Sequence, residues 1–128
     1  MKTLKSFLLI SFFPTMLFAQ SDIVGDWKLE YTDDQGQTVA VQLTISDDGE
    51  YTVDFNMDGK LEVMGKYEYE DGKMTIWDTG GDYSCGPDKK GVYNITASTN
   101  ELTMSRVSED CPDRGNPEGI MSFQKISS

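Results

Sequence analysis

The chain has 128 residues, of which 22 are acidic and 11 basic, with no His and a formal net charge of −11. A surface of that sign repels phosphate backbones and anionic lipid, so nucleic acid is excluded as a partner and a cationic protein or a neutral small molecule is not. The lack of His removes the commonest general base and leaves a zinc site short of ligands.

Residues 1 to 19 read as a signal peptide. Lys2 and Lys5 form a positive start, Ser6 to Phe18 is apolar, and Leu17-Phe18-Ala19 supplies a cleavage site. The apolar stretch is short for a membrane span. No Cys follows it, so a lipid anchor is not expected. The expectation is an exported chain, periplasmic or secreted, with no integral membrane segment once the signal is gone. Residues 20–128 then form one domain of about 110 residues, enough for a single core and expected to be monomeric. Loss of Lys2 and Lys5 takes the charge from −11 to −13.

From Trp27 onward, apolar residues alternate with polar ones, the period of strands with one buried face. The first strand places Trp27, Leu29 and Tyr31 inward. Asp33-Asp34-Gln35-Gly36 turns into a second strand with Val39, Val41, Leu43 and Ile45 inward. Asp47-Asp48-Gly49 marks a hairpin, because Asp and Gly accept positive φ. The third strand has Tyr51, Val53, Phe55 and Met57 inward. After Asp58-Gly59, the fourth has Leu61, Val63, Gly65, Tyr67 and Tyr69. Gly65 at an inward position indicates a bend or a close backbone approach. Asp71-Gly72 leads to a fifth strand from Met74 to about Thr79. A looser stretch, Gly80 to Lys90, precedes strands at Val92 to Ala97 and Leu102 to Val107. The last strand lies near Ile120 to Ile126, after a link that holds Pro112 and Pro117. Proline cannot join a ladder, so that link is loop.

Eight strands in series, without helical periodicity, suit an up-and-down barrel or a sandwich. With no long Greek-key return in view, the expected fold is all-β, a small eight-stranded antiparallel up-and-down barrel. Its two cysteines, Cys85 and Cys111, read as one disulfide in an exported chain.

Val24-Gly25-Asp26-Trp27-Lys28-Leu29 resembles the Gly-x-Trp strand of the lipocalin and wider calycin group. Cys85, Gly91-Val92-Tyr93, Leu102-Thr103-Met104 and Asp110-Cys111-Pro112-Asp113-Arg114 resemble a pattern in lipocalin-like domains of exported bacterial proteins. The resemblance covers nearly the whole mature chain. It implies an eight-stranded barrel in which a disulfide ties the loop before strand six to the loop after strand seven. It carries little chemistry. The chain is shorter than a typical lipocalin and shows no C-terminal helix, and its inward positions are bulky, so a small cup at one end is expected rather than a deep cavity.

The candidate ligand-binding residues are Trp27, Tyr31, Phe55, Tyr67, Tyr93 and Arg106. Arg106 has the inward parity of Leu102 and Met104, and a buried Arg needs a partner. That partner is either a ligand carboxylate or, structurally, the Trp27 ring through a cation–π contact. Trp77, Tyr83 and Arg114 are candidate surface-interaction residues. Trp77 has outward parity but could equally lie under the following loop beside Tyr83. Arg114 is expected first as an ion-pair partner shaping the cystine loop, with Asp110 nearby.

Asp54-Phe55-Asn56-Met57-Asp58-Gly59 matches the first half of a calcium loop. The twelfth position is Gly65 rather than Glu, and the flanks read as strands, so Asp54 and Asn56 are expected on the outer face. No metal or cofactor is expected. The Asn94-Ile95-Thr96 sequon falls mid-strand and is discounted. Catalysis is not expected either, since both cysteines are read as bonded and carboxylate pairs arise by chance among 22 acids.

The leading expectation is thus an exported lipocalin-like binding module for a small apolar or amphipathic ligand. The alternatives are an acidic protein-interaction module, such as an inhibitor of a cationic secreted hydrolase, and a filled structural barrel.

Overall fold

The computed structural model describes residues Asp22 to Ser127. The expected signal segment, residues 1 to 19, lies outside them. Eight antiparallel strands run in chain order: β1 Gly25–Thr32, β2 Thr38–Ile45, β3 Glu50–Phe55, β4 Val63–Glu70, β5 Lys73–Gly80, β6 Lys90–Ala97, β7 Glu101–Glu109 and β8 Ile120–Ser127. Each pairs with the next, and β8 returns to pair with β1, which closes the barrel. Closure leaves no edge strand to be protected from aggregation.

The short turns follow from local chemistry. Asp71 and Gly72 both have positive φ, 55° and 77°. That pair is the left-handed combination a two-residue hairpin needs if its twist is to match the strands.

The antiparallel order gives the barrel two unlike ends. At the end where β1 starts, Trp27 and Ile23 are fully buried. The indole Nε1 donates to Ile23 O at 2.9 Å. Lys125 Nζ sits 4.5 Å from the centre of the indole ring and donates to Val24 O at 3.1 Å. The segment before β1 therefore folds under the barrel and seals it. Above this plug, Leu43, Ile45, Met74, Ile76, Ile95, Ala97, Leu102, Met104 and Phe123 fill the interior.

At the opposite end lie the longer links, residues 33–37, 56–62, 81–89 and 110–119. The disulfide Cys85–Cys111 joins the last two, with Cα atoms 6.1 Å apart.

Several inward expectations fail at this end, at the barrel rim and where strands stop. Tyr31 is 50% exposed on the rim, beside Val39. Met57 and Leu61 are exposed, since β3 ends at Phe55 and β4 begins only at Val63. Asp54, expected on the outer face, is buried. Its carboxylate turns back to accept the backbone N–H groups of Asp58 at 3.1 Å and Gly59 at 2.9 Å. Asn56 and Met57 take positive φ to bring the chain over it.

A polar cluster and recess at the cystine end: the candidate functional site

Two inward glycines make room for polar groups inside the barrel. Tyr51, Gly65 and Asp78 are lateral neighbours on β3, β4 and β5. A Cβ at Gly65 would overlap the Tyr51 ring, so glycine lets that ring lie flat across β4. The Tyr51 hydroxyl thereby reaches Asp78 and donates to its Oδ1. On the other side, Gly91 of β6 faces Glu109 of β7. A Cβ there would meet the Glu109 carboxylate and Arg114 Nη1.

Arg114 spans the two halves. Its Nη1 lies 2.8 Å from Glu109 Oε1, and its Nη2 lies 3.5 Å from Asp78 Oδ2. Nη2 also donates to Lys89 O at 2.9 Å. The Tyr93 hydroxyl donates to Glu109 Oε2 at 2.5 Å. The amides of the disulfide complete the set: Cys85 N–H donates to Asp78 Oδ2 at 2.8 Å, and Cys111 N–H to Glu109 Oε1 at 3.0 Å. The Asp78 and Glu109 side chains are 4% and 5% exposed and that of Arg114 is 12% exposed. Buried charges persist only when paired and hydrogen-bonded in this way.

Burial is the main cause that raises the hydroxyl of Tyr51 well above the ordinary tyrosine range. The hydrogen bond to Asp78 and its negative charge add to the rise. Tyr93 is raised by burial first and then by its bond to Glu109. The neutral phenols are therefore favoured in the folded state. Their contribution is complete below the unfolded value, near pH 10, and is lost as pH rises towards the folded values. We expect urea stability to fall steeply above about pH 10, by at most about 1.4 kcal/mol per pH unit for each tyrosine. A flat profile from there to strongly alkaline pH would contradict the assignment.

Above the cluster is a half-open recess of about 300 Å³, lined by Arg106, Glu109, Cys111, Pro112, Arg114, Gly115, Asn116 and Pro117. Arg106 is exposed, and its Nη2 donates to Asn116 O. It lies along the backbone of Gly119 and near that of Gly115, beside the Tyr93 hydroxyl. Asn116 shapes the far side, with Nδ2 donating to Ile120 O at 2.7 Å and Oδ1 accepting Gly119 N–H at 2.9 Å.

Compared with family models, curated proteins and solved structures, the chain matches none.

The sequence candidates divide between the two ends. Arg106 does not cover Trp27: it lies near the end of β7, at the far end of the barrel, and the cation over the indole is Lys125, the register partner of Trp27 on β8. Tyr67 is in the core, and its hydroxyl donates to Ser46 O at 2.5 Å, on the plug side. Tyr93 and Arg106 come together, as neighbours on β6 and β7.

Phe55 is half-buried and packs edge-on against Tyr83 at 5.4 Å. Tyr83 is 65% exposed. Trp77 is half-buried on the outer face under Lys90 Nζ, 5.1 Å from its ring centre. Arg114 is an interior ion-pair residue rather than a surface one, and its partners are Glu109 and Asp78. Asp110 instead accepts the backbone N–H of Lys90 at 3.3 Å.

The sequence reading missed Asp78 and Glu109. Asp78 shares the inward parity of Met74 and Ile76, which was the available signal.

One acidic group could in principle take a metal ion. Oxygens of Asp54, Asp58 and Glu62 lie within 4.8 Å of one another. Backbone donors account for the arrangement: Asp54 holds the turn as described, Glu62 Oε1 accepts Phe55 N–H at 2.7 Å, and Asp58 accepts Lys60 N–H at 3.0 Å. That last bond is the main cause holding the Asp58 carboxyl below its ordinary value.

Proposed function

We propose that the protein is an exported small-ligand binding module whose site is the recess at the cystine end, not the barrel interior. The observation that carries this reading is the pairing of a side-chain-filled barrel with a recess of about 300 Å³ built on a rigid polar floor. That volume is at the lower limit of small-molecule sites, which run from about 300 to 1,000 Å³. Pro112, Pro117 and the cystine give it apolar walls. The ion-paired floor and the disulfide pre-organise it, which lowers the cost of ordering a site on binding. The disulfide suits an oxidising, extracytoplasmic setting. A lipocalin-like ancestry would place ligands in the barrel mouth, and the proposed recess sits beside that mouth.

The test is a fragment screen read by amide chemical shifts on the disulfide-intact protein. Perturbations should cluster on residues 106–117. A screen in which no fragment perturbs that stretch would overturn the reading.

A separate observation favours a second reading. Met57, Leu61, Met64 and Tyr83 are exposed on or beside the adjoining 56–62 and 81–89 links. Set in an acidic surface, they fit a docking face for a cationic protein.

A further inference from the structure

We propose that the ligand of this recess is a small amphipathic monocarboxylate, held by Arg106. The inference rests on the reading of the recess as a binding site and goes on to its chemistry. It comes from counting donors and acceptors. The side-chain acceptors around the recess are already engaged. Glu109 Oε1 takes Arg114 Nη1 and Cys111 N–H, and its Oε2 takes the Tyr93 hydroxyl. Asn116 Oδ1 takes Gly119 N–H.

Donors, by contrast, are in surplus. A guanidinium has five N–H groups in a planar fork. Arg106 hydrogen-bonds Asn116 O and the Tyr93 hydroxyl, which leaves the remaining N–H groups of an exposed guanidinium at the recess. Arg114 Nε also has no hydrogen-bond partner among the described residues, but it is buried, so the donors a ligand can reach are those of Arg106. A site with free donors and engaged acceptors selects a ligand that accepts. The best match to a guanidinium fork is a planar carboxylate.

Charge and size narrow the class. Asp110, Asp113 and Glu118 are on the same link and exposed. With the net negative charge of the chain they oppose a dianion more than a monoanion. A recess of about 300 Å³ holds about ten water-sized groups at roughly 30 Å³ each. Pro112 and Pro117 offer ring surface and no N–H, so the remainder of the ligand is apolar.

Titration of the intact, disulfide-bonded protein with octanoate, octanol and octylamine, followed by amide shifts, tests both steps. Octanoate should perturb Arg106, Gly115, Asn116 and Gly119 and bind at least tenfold more tightly than either neutral or cationic analogue. Arg106→Met should bring octanoate down to the level of octanol, whereas Arg106→Lys should keep part of the preference. Equal binding of octanol in the same recess would overturn the carboxylate assignment and leave the recess as a site. Octanoate shifts confined to the barrel interior would overturn the assignment too. Failure of all three probes to shift the recess would count against both.

Discussion

Replacing Arg114 by Met should cost about 3–5 kcal/mol of unfolding free energy, because it strands two buried carboxylates. Asp78 and Glu109 come from β5 and from the end of β7, and Arg114 is the cation that lies between them. Without it, both negative charges keep their tyrosine and amide donors but lose the positive partner. The loss should appear as a lower urea midpoint with little change in the slope, since the fold and the exposed area remain alike. The triple variant Arg114→Met, Asp78→Asn, Glu109→Gln separates the causes. It removes the stranded charges and should recover a large part of the loss. If the triple variant is as unstable as the single one, lost packing rather than uncompensated charge is the cause.

The strand order was legible in the sequence because the turns are spelled in residues that accept positive φ, such as Asp71-Gly72, and because the period of two is clean between them. The pairing of Cys85 with Cys111 and the close approach at Gly65 were legible for similar reasons. Parity, however, tells which face a residue takes and not which end of a barrel it reaches. That is why parity alone allows Arg106 over Trp27 as one of its two readings, when the cation there is Lys125, which has the inward parity of Phe123 on β8. Parity also says nothing of what covers a residue at a strand end, where Asp54 is buried under the loop it holds. The polar floor was hidden for another reason. Asp78 and Glu109 are two acids among 22, and only their register opposite inward glycines distinguishes them.

The two ends of the barrel solve one problem differently. At the Trp27 end, the chain before β1 supplies a carbonyl for the indole and seals the core with Ile23. At the cystine end, the links are longer, and ordering them costs more conformational entropy. The polar floor and the disulfide offset that cost. They also hold β7 and the 110–119 link in place, and so fix the positions of Arg106 and Asn116 around the recess.

Removal of the disulfide, as Cys85→Ser with Cys111→Ser, should therefore cost more than cross-link entropy alone. For a sequence separation of 26 residues, that entropy amounts to about 3.6 kcal/mol. The excess arises because the amides of both cysteines donate to the buried carboxylates that hold Arg114. When the links separate, those donors leave and the ion pairs become exposed to water. Hydrogen exchange resolves the two contributions. Amides 85, 111 and 114 should lose protection first, at denaturant concentrations where Trp27 and its neighbours on β1 and β2 remain protected, as expected for local opening below the global transition. A cost at or below the entropic figure, with protection lost uniformly along the barrel, would mean that the disulfide merely closes a loop. A larger cost with loss confined to the cystine end would show that it braces the floor on which the recess stands.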